Sequence, residues 1–230
     1  MPLLDLLASS WIGTLLGARH ALEPDHLAAL TTLVSRERSG ARAALLGAWW
    51  GLGHTLTLLV VGTTLLILRA EIPPGLADAF EFAVALLLIG LGLRAIGQAA
   101  SQGPAGPTRV HTHGRLVHSH PVGTPHVHIG AWTLARRPLV IGALHGLAGS
   151  GALTALVLST LPTLGARLAY VGLFGLGSTL SMAVVSGLLG WPLARLGNHH
   201  LVVRGLTLAV GCAAVGIGLW WGSTAYRNLF

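Results

Sequence analysis

The sequence has no lysine, a single cysteine and few charged residues of any kind, and these absences exclude several classes of protein. Charged residues make up 9% of the 230 residues, whereas hydrophobic residues make up 53%. An ordinary soluble domain is about 25% charged, so a soluble chain of this composition would expose large apolar patches. The high aliphatic content excludes a disordered chain. The composition therefore predicts an integral membrane protein.

The few polar groups narrow the possible partners further. The lone thiol, Cys212, cannot form an internal disulfide, and we interpret it as a small core residue. All 14 basic residues are arginines, against 7 acidic residues, an excess that nucleic-acid-binding proteins also have. These arginines are scattered between long apolar runs, as membrane topology requires. We expect the partner to be a lipid bilayer and expect no nucleic-acid binding.

Six hydrophobic regions are candidates to cross a bilayer, which takes a helix of about 20 apolar residues. The first, 3–34, is too long for one plain helix and is interrupted by a polar motif. The other five regions are 45–68, 76–97, 139–161, 168–194 and 201–221. We therefore predict an all-α integral membrane protein with six transmembrane helices.

The arginines are unevenly divided between the two sides of the predicted membrane. Most of them follow the first, third and fifth spans, and cytoplasmic loops carry such an excess. We expect a multi-pass protein of the cytoplasmic (inner) membrane, with both termini outside and the loop after the third span in the cytoplasm. The amino terminus lacks a basic region and a small-residue cleavage site, so we expect no cleaved signal peptide.

The two halves of the chain resemble each other at a nearly constant offset. GARHAL (17–22) matches GALHGL (142–147), WGLGHTL (50–56) matches FGLGSTL (174–180), and GLGL (90–93) matches GIGL (216–219). Each copy holds three spans, so the second copy enters the membrane from the opposite side. This predicts a 3+3 inverted repeat, which is common in secondary transporters. The units are 1–100, a His-rich loop at 101–134, and 135–230.

A polar motif interrupts the first hydrophobic region. His20, Glu23, Asp25 and His26 lie within seven residues, and an acidic residue at the membrane centre costs roughly 2.5–3.5 kcal/mol. Pro24 removes a backbone donor and pushes Glu23 out of helical geometry, so side chains and freed carbonyls can converge on one ion. Imidazole and carboxylate ligands suit nickel, cobalt, copper or zinc.

Two further histidines lie singly within predicted spans. His54 follows two glycines that permit close helix approach, and His145 matches His20 in the repeat. Ser178 stands at the position that matches His54, so the predicted site is asymmetric. Taken alone, each histidine is either a ligand or a packed core residue. We include both with His20, Glu23, Asp25 and His26 as candidate metal ligands.

The segment between the predicted halves is rich in histidine, glycine and proline. It contains three His-x-His pairs, and residues i and i+2 of an extended chain lie on one side, so each pair can chelate one cation. The tract predicts a flexible cytoplasmic metal-binding loop rather than an ordinary solvated linker. Its histidines are His111, His113, His118, His120, His126 and His128.

These motifs resemble those of a known family. The His20–His26 motif, Gly51-Leu52-Gly53-His54-Thr55 and the segment after His145 are similar to signatures of the nickel/cobalt transporter superfamily, most of all its urease-accessory, UreH-like branch. The usual family form has Asp and Ala at the positions of Glu23 and Pro24, and a later acidic signature is missing here.

The resemblance implies a metal permease rather than an enzyme, with no resident cofactor. Its His-x4-Asp-His ligands fall on His20, Asp25 and His26, and its transported substrate is Ni²⁺ or Co²⁺. A cytoplasmic metallochaperone, or urease or hydrogenase maturation proteins, are the partners that the resemblance implies.

Two other functions are compatible with parts of the sequence. A metal-sensing or metal-delivery membrane protein has the same ligands but needs no alternating access. An intramembrane serine protease would account for Ala148-Gly149-Ser150-Gly151, although the last span has no histidine to serve as the base for Ser150. The protease leaves the His20–His26 motif unexplained.

Overall fold

The computed structural model describes the backbone of most of the chain. Outside the described residues lie 1–2, 36, 38, 69, 71, 102–107, 114–115, 122–126, 130–131, 135, 162 and 196–198. The side chains of 3–10, 66, 102–135, 149–160, 193–194 and 200 also lie outside the description.

Seven helices account for most of the described chain. They are α1 (Leu3–His20), α2 (Pro24–Val34), α3 (Gly40–Leu68), α4 (Pro74–Ala100), α5 (Arg136–Thr160), α6 (Leu164–Arg195) and α7 (His200–Leu229). Four short strands lie between α4 and α5: β1 (Thr108–His113), β2 (Leu116–Pro121), β3 (Val127–Ile129) and β4 (Trp132–Leu134). The body of the protein is therefore helical.

Four of the described helices are long and apolar enough to cross a membrane, at Gly40–Leu65, Pro74–Ala100, Leu164–Pro192 and Leu201–Leu229. Large apolar side chains such as Leu86, Val184 and Leu219 are exposed on their outer faces, as expected of surfaces that contact lipid. The chain therefore has the architecture of a multi-pass membrane protein. Cys212 is exposed on α7, so its interpretation as a core residue was wrong: an apolar face in a membrane need not face the core.

The first hydrophobic region is broken where the proline predicts. α1 ends at His20, and Glu23 is extended, with φ −64° and ψ 148°, directly before Pro24 at the first turn of α2. A residue before proline is disfavoured in helical geometry, and proline needs no backbone partner at a helix start. The Glu23 amide donates to the His20 carbonyl at 3.0 Å, which closes a tight turn. The second helix thus starts at an exposed turn, and its next residues, Asp25 and His26, are buried.

Glycines bring the helices into backbone contact. A Cβ at Gly17 would collide with the backbone of Phe174, which places α1 directly on α6. A Cβ at Gly142 would collide with the Trp50 carbonyl, which places α5 directly on α3. α3 also packs along α6, and α4 packs along α7. Small residues permit this approach in membrane proteins, where packing and hydrogen bonds drive helix association.

Polar contacts join α3 and α6 at the centre. The Thr55 hydroxyl donates to the Gly175 carbonyl at 2.9 Å, and its oxygen lies 2.8 Å from the Thr179 hydroxyl. Beside this contact, the buried core includes Leu30, Trp50 and Met182.

The His-rich segment forms hairpins in its described parts. β1 pairs with β2 antiparallel, and β3 pairs with β4 antiparallel. Valine and threonine alternate with histidine and arginine along Thr108–His113, and β-branched residues favour strands. The abundant glycine and proline of the tract led to the prediction of a flexible loop, whereas its described parts form paired strands. The local alternation along Thr108–His113 is the signal for a strand that this prediction did not use.

The glycine contacts predict a steric penalty at Gly177, whose added Cβ would collide with the Thr14 carbonyl of α1. We expect Gly177→Ala to destabilise the purified protein by about 1–3 kcal/mol, the usual cost of overpacking. Gly172→Ala on the same helix is the control, since a Cβ there meets nothing within 4 Å. Thermal unfolding in detergent measures both, and equal midpoints for the two variants would contradict the packing described.

Candidate metal centre

Five ionisable side chains from four helices meet inside the bundle. The turn before α2 directs Asp25 and His26 inward, where they are 7% and 2% exposed. His54 from α3 and His145 from α5 are 0% and 1% exposed. His20, the last residue of α1, completes the group at its partly exposed edge. The break at Pro24 is what places Asp25 here, because a continuous helix would point it away from His20.

Asp25 connects two of the imidazoles. Its Oδ2 accepts a hydrogen bond from His145 Nε2 at 2.8 Å, and its Oδ1 lies 3.0 Å from His26 Nδ1. The second contact lacks hydrogen-bond geometry, so Asp25 Oδ1 and His26 Nδ1 have no hydrogen-bond partner among the described residues. The Asp25–His145 bond joins residues that are 120 positions apart and belong to different halves of the chain. It is a direct polar link between those halves.

The imidazole rings form a compact cluster around His26. Its ring centroid is 4.4 Å from that of His20 and 4.4 Å from that of His145. The His54 centroid lies 5.1 Å from His26 and 5.3 Å from His20. Two sets of ligand atoms lie within 4.8 Å of one another: His20, His26 and His54, and Asp25, His26 and His145.

Many of these buried atoms have no hydrogen-bond partner among the described residues. They are Asp25 Oδ1, both ring nitrogens of His26, both ring nitrogens of His54, and His145 Nδ1. Leaving a buried polar group unpaired costs about 1–3 kcal/mol, so such a concentration is expected where a ligand binds. Nitrogen and carboxylate oxygen donors together suit a divalent transition metal.

Two aromatic rings form walls of the cluster. The ring centroid of Trp50 lies 5.6 Å from that of His26 and 5.5 Å from that of His145. The ring centroid of Phe174 lies 5.3 Å from that of His20. Neither ring was predicted to belong to the site, although both directly precede Gly-x-Gly segments that match between the two halves of the sequence. That shared position is the signal that would have identified them. The walls are apolar, which strengthens electrostatic interactions inside.

The other predicted residues lie at the edge of the cluster or outside the described side chains. Glu23 is 48% exposed, and its Oε2 lies 3.0 Å from His20 Nδ1, so it sits at the mouth of the cluster. Ser178 is buried, with its hydroxyl 4.0 Å from the Met182 sulfur. The side chains of Ser150, His111, His113, His118, His120 and His128 are not described, and His126 lies outside the described residues altogether.

Fold and cluster together define a helical multi-pass membrane protein with a buried imidazole–carboxylate centre. Comparison with known proteins gives the family. The chain is 36% identical over 222 residues to the urease accessory protein UreH of Bacillus sp. (strain TB-90), and the match covers 91% of each protein. The chain belongs to the family of this urease accessory protein, as the Glu-Pro-Asp-His form of the first motif and the segment after His145 predict.

Two plant proteins are also similar. The chain is 29% identical over 219 residues to the chloroplast protein FOR GROWTH AND FERTILITY 1 of Arabidopsis thaliana, and 28% identical over 218 residues to FOR GROWTH AND FERTILITY 2. It spans 58% and 56% of their lengths. No family model and no solved structure matches the chain.

The cluster predicts that Asp25→Asn weakens metal binding while keeping the shape of the side chain. We expect the dissociation constant for Ni²⁺ to rise at least about tenfold, because the change removes the buried negative charge. Equilibrium dialysis of purified protein measures it, in a background where the six loop histidines are serine. Asp78→Asn is the control, since Asp78 bonds Asn228 away from the cluster. Equal affinities for the two variants would exclude Asp25 as a ligand.

Proposed function

We propose that this protein is a transmembrane permease for divalent nickel or cobalt, and that the ion crosses through the cluster of His20, Asp25, His26, His54 and His145. The ion is the transported substrate. The proposal includes no catalytic step and no resident cofactor. The observation that carries it is the burial of three imidazoles and a carboxylate, without enough partners of their own, inside a bundle of apolar helices.

The donor set favours these metals over others. Imidazole nitrogen and carboxylate oxygen suit nickel and cobalt, whereas copper(I) and structural zinc sites prefer thiolates. The only cysteine, Cys212, is exposed on α7 and does not contribute to the cluster. Relationship to a urease accessory protein supports a role in nickel handling for urease. In that context a metallochaperone, or urease or hydrogenase maturation proteins, would receive the ion in the cytoplasm.

Reciprocal contacts support six spans arranged as a 3+3 inverted repeat. Gly17 against Phe174 and Gly142 against Trp50 are the same contact with the halves exchanged, since 17 matches 142 and 50 matches 174. The same exchange relates two further pairs: Gly53 against Leu139 with Gly177 against Thr14, and Gly51 against Thr179 with Gly175 against Thr55. Transporters built this way bind substrate between the repeats.

The inverted repeat supplies a physical route for transport. The Asp25–His145 bond lies between the halves, so a movement of one half against the other changes the ligand set directly. A protein that only senses or delivers metal has no need of such an arrangement. We place the protein in the cytoplasmic membrane, with both termini outside and the His-rich segment in the cytoplasm, where it concentrates or receives the ion.

The β1–β2 hairpin supports an accessory metal-binding role for that segment. Its register pairs His111 with His118, Arg109 with His120 and His113 with Leu116. Cross-strand partners and alternate residues of a strand share a face, so four histidine positions belong to one face of this hairpin. The proposal extends to an ion held by His111, His113, His118 and His120.

Transport itself is tested with sealed proteoliposomes that contain only this chain and an internal metal-sensitive dye. We expect Ni²⁺ entry above the leak of protein-free liposomes, and expect His26→Ala to reduce it to that leak because the ion loses its central ligand. His199→Ala is the control, since His199 is exposed before α7. Wild-type rates in the His26→Ala protein would disprove the proposal, and binding without entry would favour the sensing or delivery function.

The accessory site makes a separate prediction about stoichiometry. Replacing His111, His113, His118 and His120 by serine should remove about one tightly bound Ni²⁺ per chain, while the transport rate at saturating metal changes less than about twofold, since the loop lies outside the pathway. The control replaces Thr112 and Ser119, which occupy the other face of the hairpin, by alanine. Equal stoichiometry in the two variants would contradict the accessory role.

A further inference from the structure

We infer that the ion occupies two positions in succession inside the cluster and that His26 is a ligand in both. This inference rests on the proposed function and adds to it a division of the ligands into an entry set and a closed set. The entry set is His20, His26 and His54, and the closed set is Asp25, His26 and His145.

The distances favour two positions over one. Two donors bound to the same ion lie no further apart than twice the metal–ligand bond, about 4.2 Å for imidazole nitrogen at about 2.1 Å. Each set of three has its ligand atoms within 4.8 Å of one another, close to that limit. Among the described side chains, the two sets do not merge into one larger group at this distance. In this arrangement, a single ion therefore does not reach the ligand atoms of all five side chains at once.

The two sets differ in access. The His20 side chain is 15% exposed and touches Glu23, which is 48% exposed. An ion can reach this set from outside the bundle, beside a carboxylate that attracts cations. In the closed set, Asp25, His26 and His145 are all buried. The closed set is therefore the more deeply enclosed of the two.

The two sets also differ in charge. The entry set consists of three imidazoles, which are neutral when they bind metal. The closed set contains the Asp25 carboxylate, which offsets one of the two positive charges of the ion in an apolar environment. The ion is therefore better compensated in the closed set, and this favours its movement away from the entrance.

His26 lies between the two sets. Its ring is equally distant, at 4.4 Å, from the rings of His20 and His145. A partly dehydrated divalent ion is costly to expose to an apolar interior. If His26 stays bound while His20 and His54 are exchanged for Asp25 and His145, the ion is never without protein ligands. The transfer then proceeds by ligand substitution over a short distance.

The repeat gives this transfer a link to the movement of the halves. His20 and His145 occupy matching positions, at an offset of 125, and flank His26 from opposite halves of the chain. Passage from the entry set to the closed set exchanges the histidine of one half for the histidine of the other. The aromatic walls show the same relation between the halves. Trp50 and Phe174 occupy matching positions, and they lie beside His145 and His20, respectively.

Paired substitutions test the division. The parent protein has serine in place of all six loop histidines, and Ni²⁺ affinity is measured in detergent. His145→Ala disables the closed set, so adding Asp25→Asn should then change the affinity less than about threefold, while adding His54→Ala should weaken it at least about tenfold. His20→Ala disables the entry set, and the pattern should reverse: Asp25→Asn costs at least about tenfold and His54→Ala less than about threefold.

The possible outcomes separate this inference from the proposed function. If Asp25→Asn and His54→Ala weaken binding equally in both backgrounds, the ion has one site, and the inference is overturned while metal binding stands. Loss of all binding in either single variant also overturns it. A parent protein that binds no Ni²⁺ removes the proposed function together with the inference. If the His145→Ala protein does not elute as a single species in size-exclusion chromatography, the experiment uses His145→Gln instead, because glutamine retains a hydrogen-bond donor for Asp25.

Discussion

The hydrogen bond between the Asp25 carboxylate and His145 is the interaction on which the rest of the centre depends. A carboxylate that is 7% exposed among apolar helices is costly unless partners or a cation compensate its charge. Asp25 reaches its partners only because Pro24 starts a new helix within the first hydrophobic region. His145 reaches Asp25 only because α5 packs against α3. Local backbone chemistry and long-range packing are thus both required for one contact.

Glycine residues make possible the close helix packing that this contact requires. Where Gly142 meets the Trp50 carbonyl and Gly146 approaches the backbone of His54, α5 comes close enough for His145 to join the cluster. A larger residue at either position would separate α3 from α5. In water a hydrophobic core draws helices together, whereas in lipid this close fit takes a larger share of that role. The abundance of glycine, 32 residues of 230, is therefore part of how the centre is assembled.

The sequence could predict what depends on local chemistry and could not predict what depends on contacts between distant elements. Low charge and long apolar runs were sufficient to predict a membrane protein. Pro24 was sufficient to predict the break in the first hydrophobic region. The role of His54 stayed open in the sequence, because a single histidine in a span carries no information about its neighbours; its burial beside His20 and His26 comes from packing. Trp50 and Phe174 were missed because an aromatic residue in a membrane helix is usually ordinary packing. The hairpins were missed because composition conceals the alternation of a short strand.

The segment of the second half that aligns with the His20–His26 motif lacks the carboxylates of that motif. Ala148, Gly149, Ser150 and Gly151 stand at the positions that match Glu23, Pro24, Asp25 and His26, and α5 runs through this segment without a break. Among the described residues, the buried carboxylate of the centre therefore comes from the first half of the chain, and the second half contributes His145. Two carboxylates only a few Å apart repel each other, and one of them would be protonated rather than bind metal. With Asp25 as its one buried carboxylate among the described residues, the centre offers a single negative charge, which would offset half of the charge of a divalent ion.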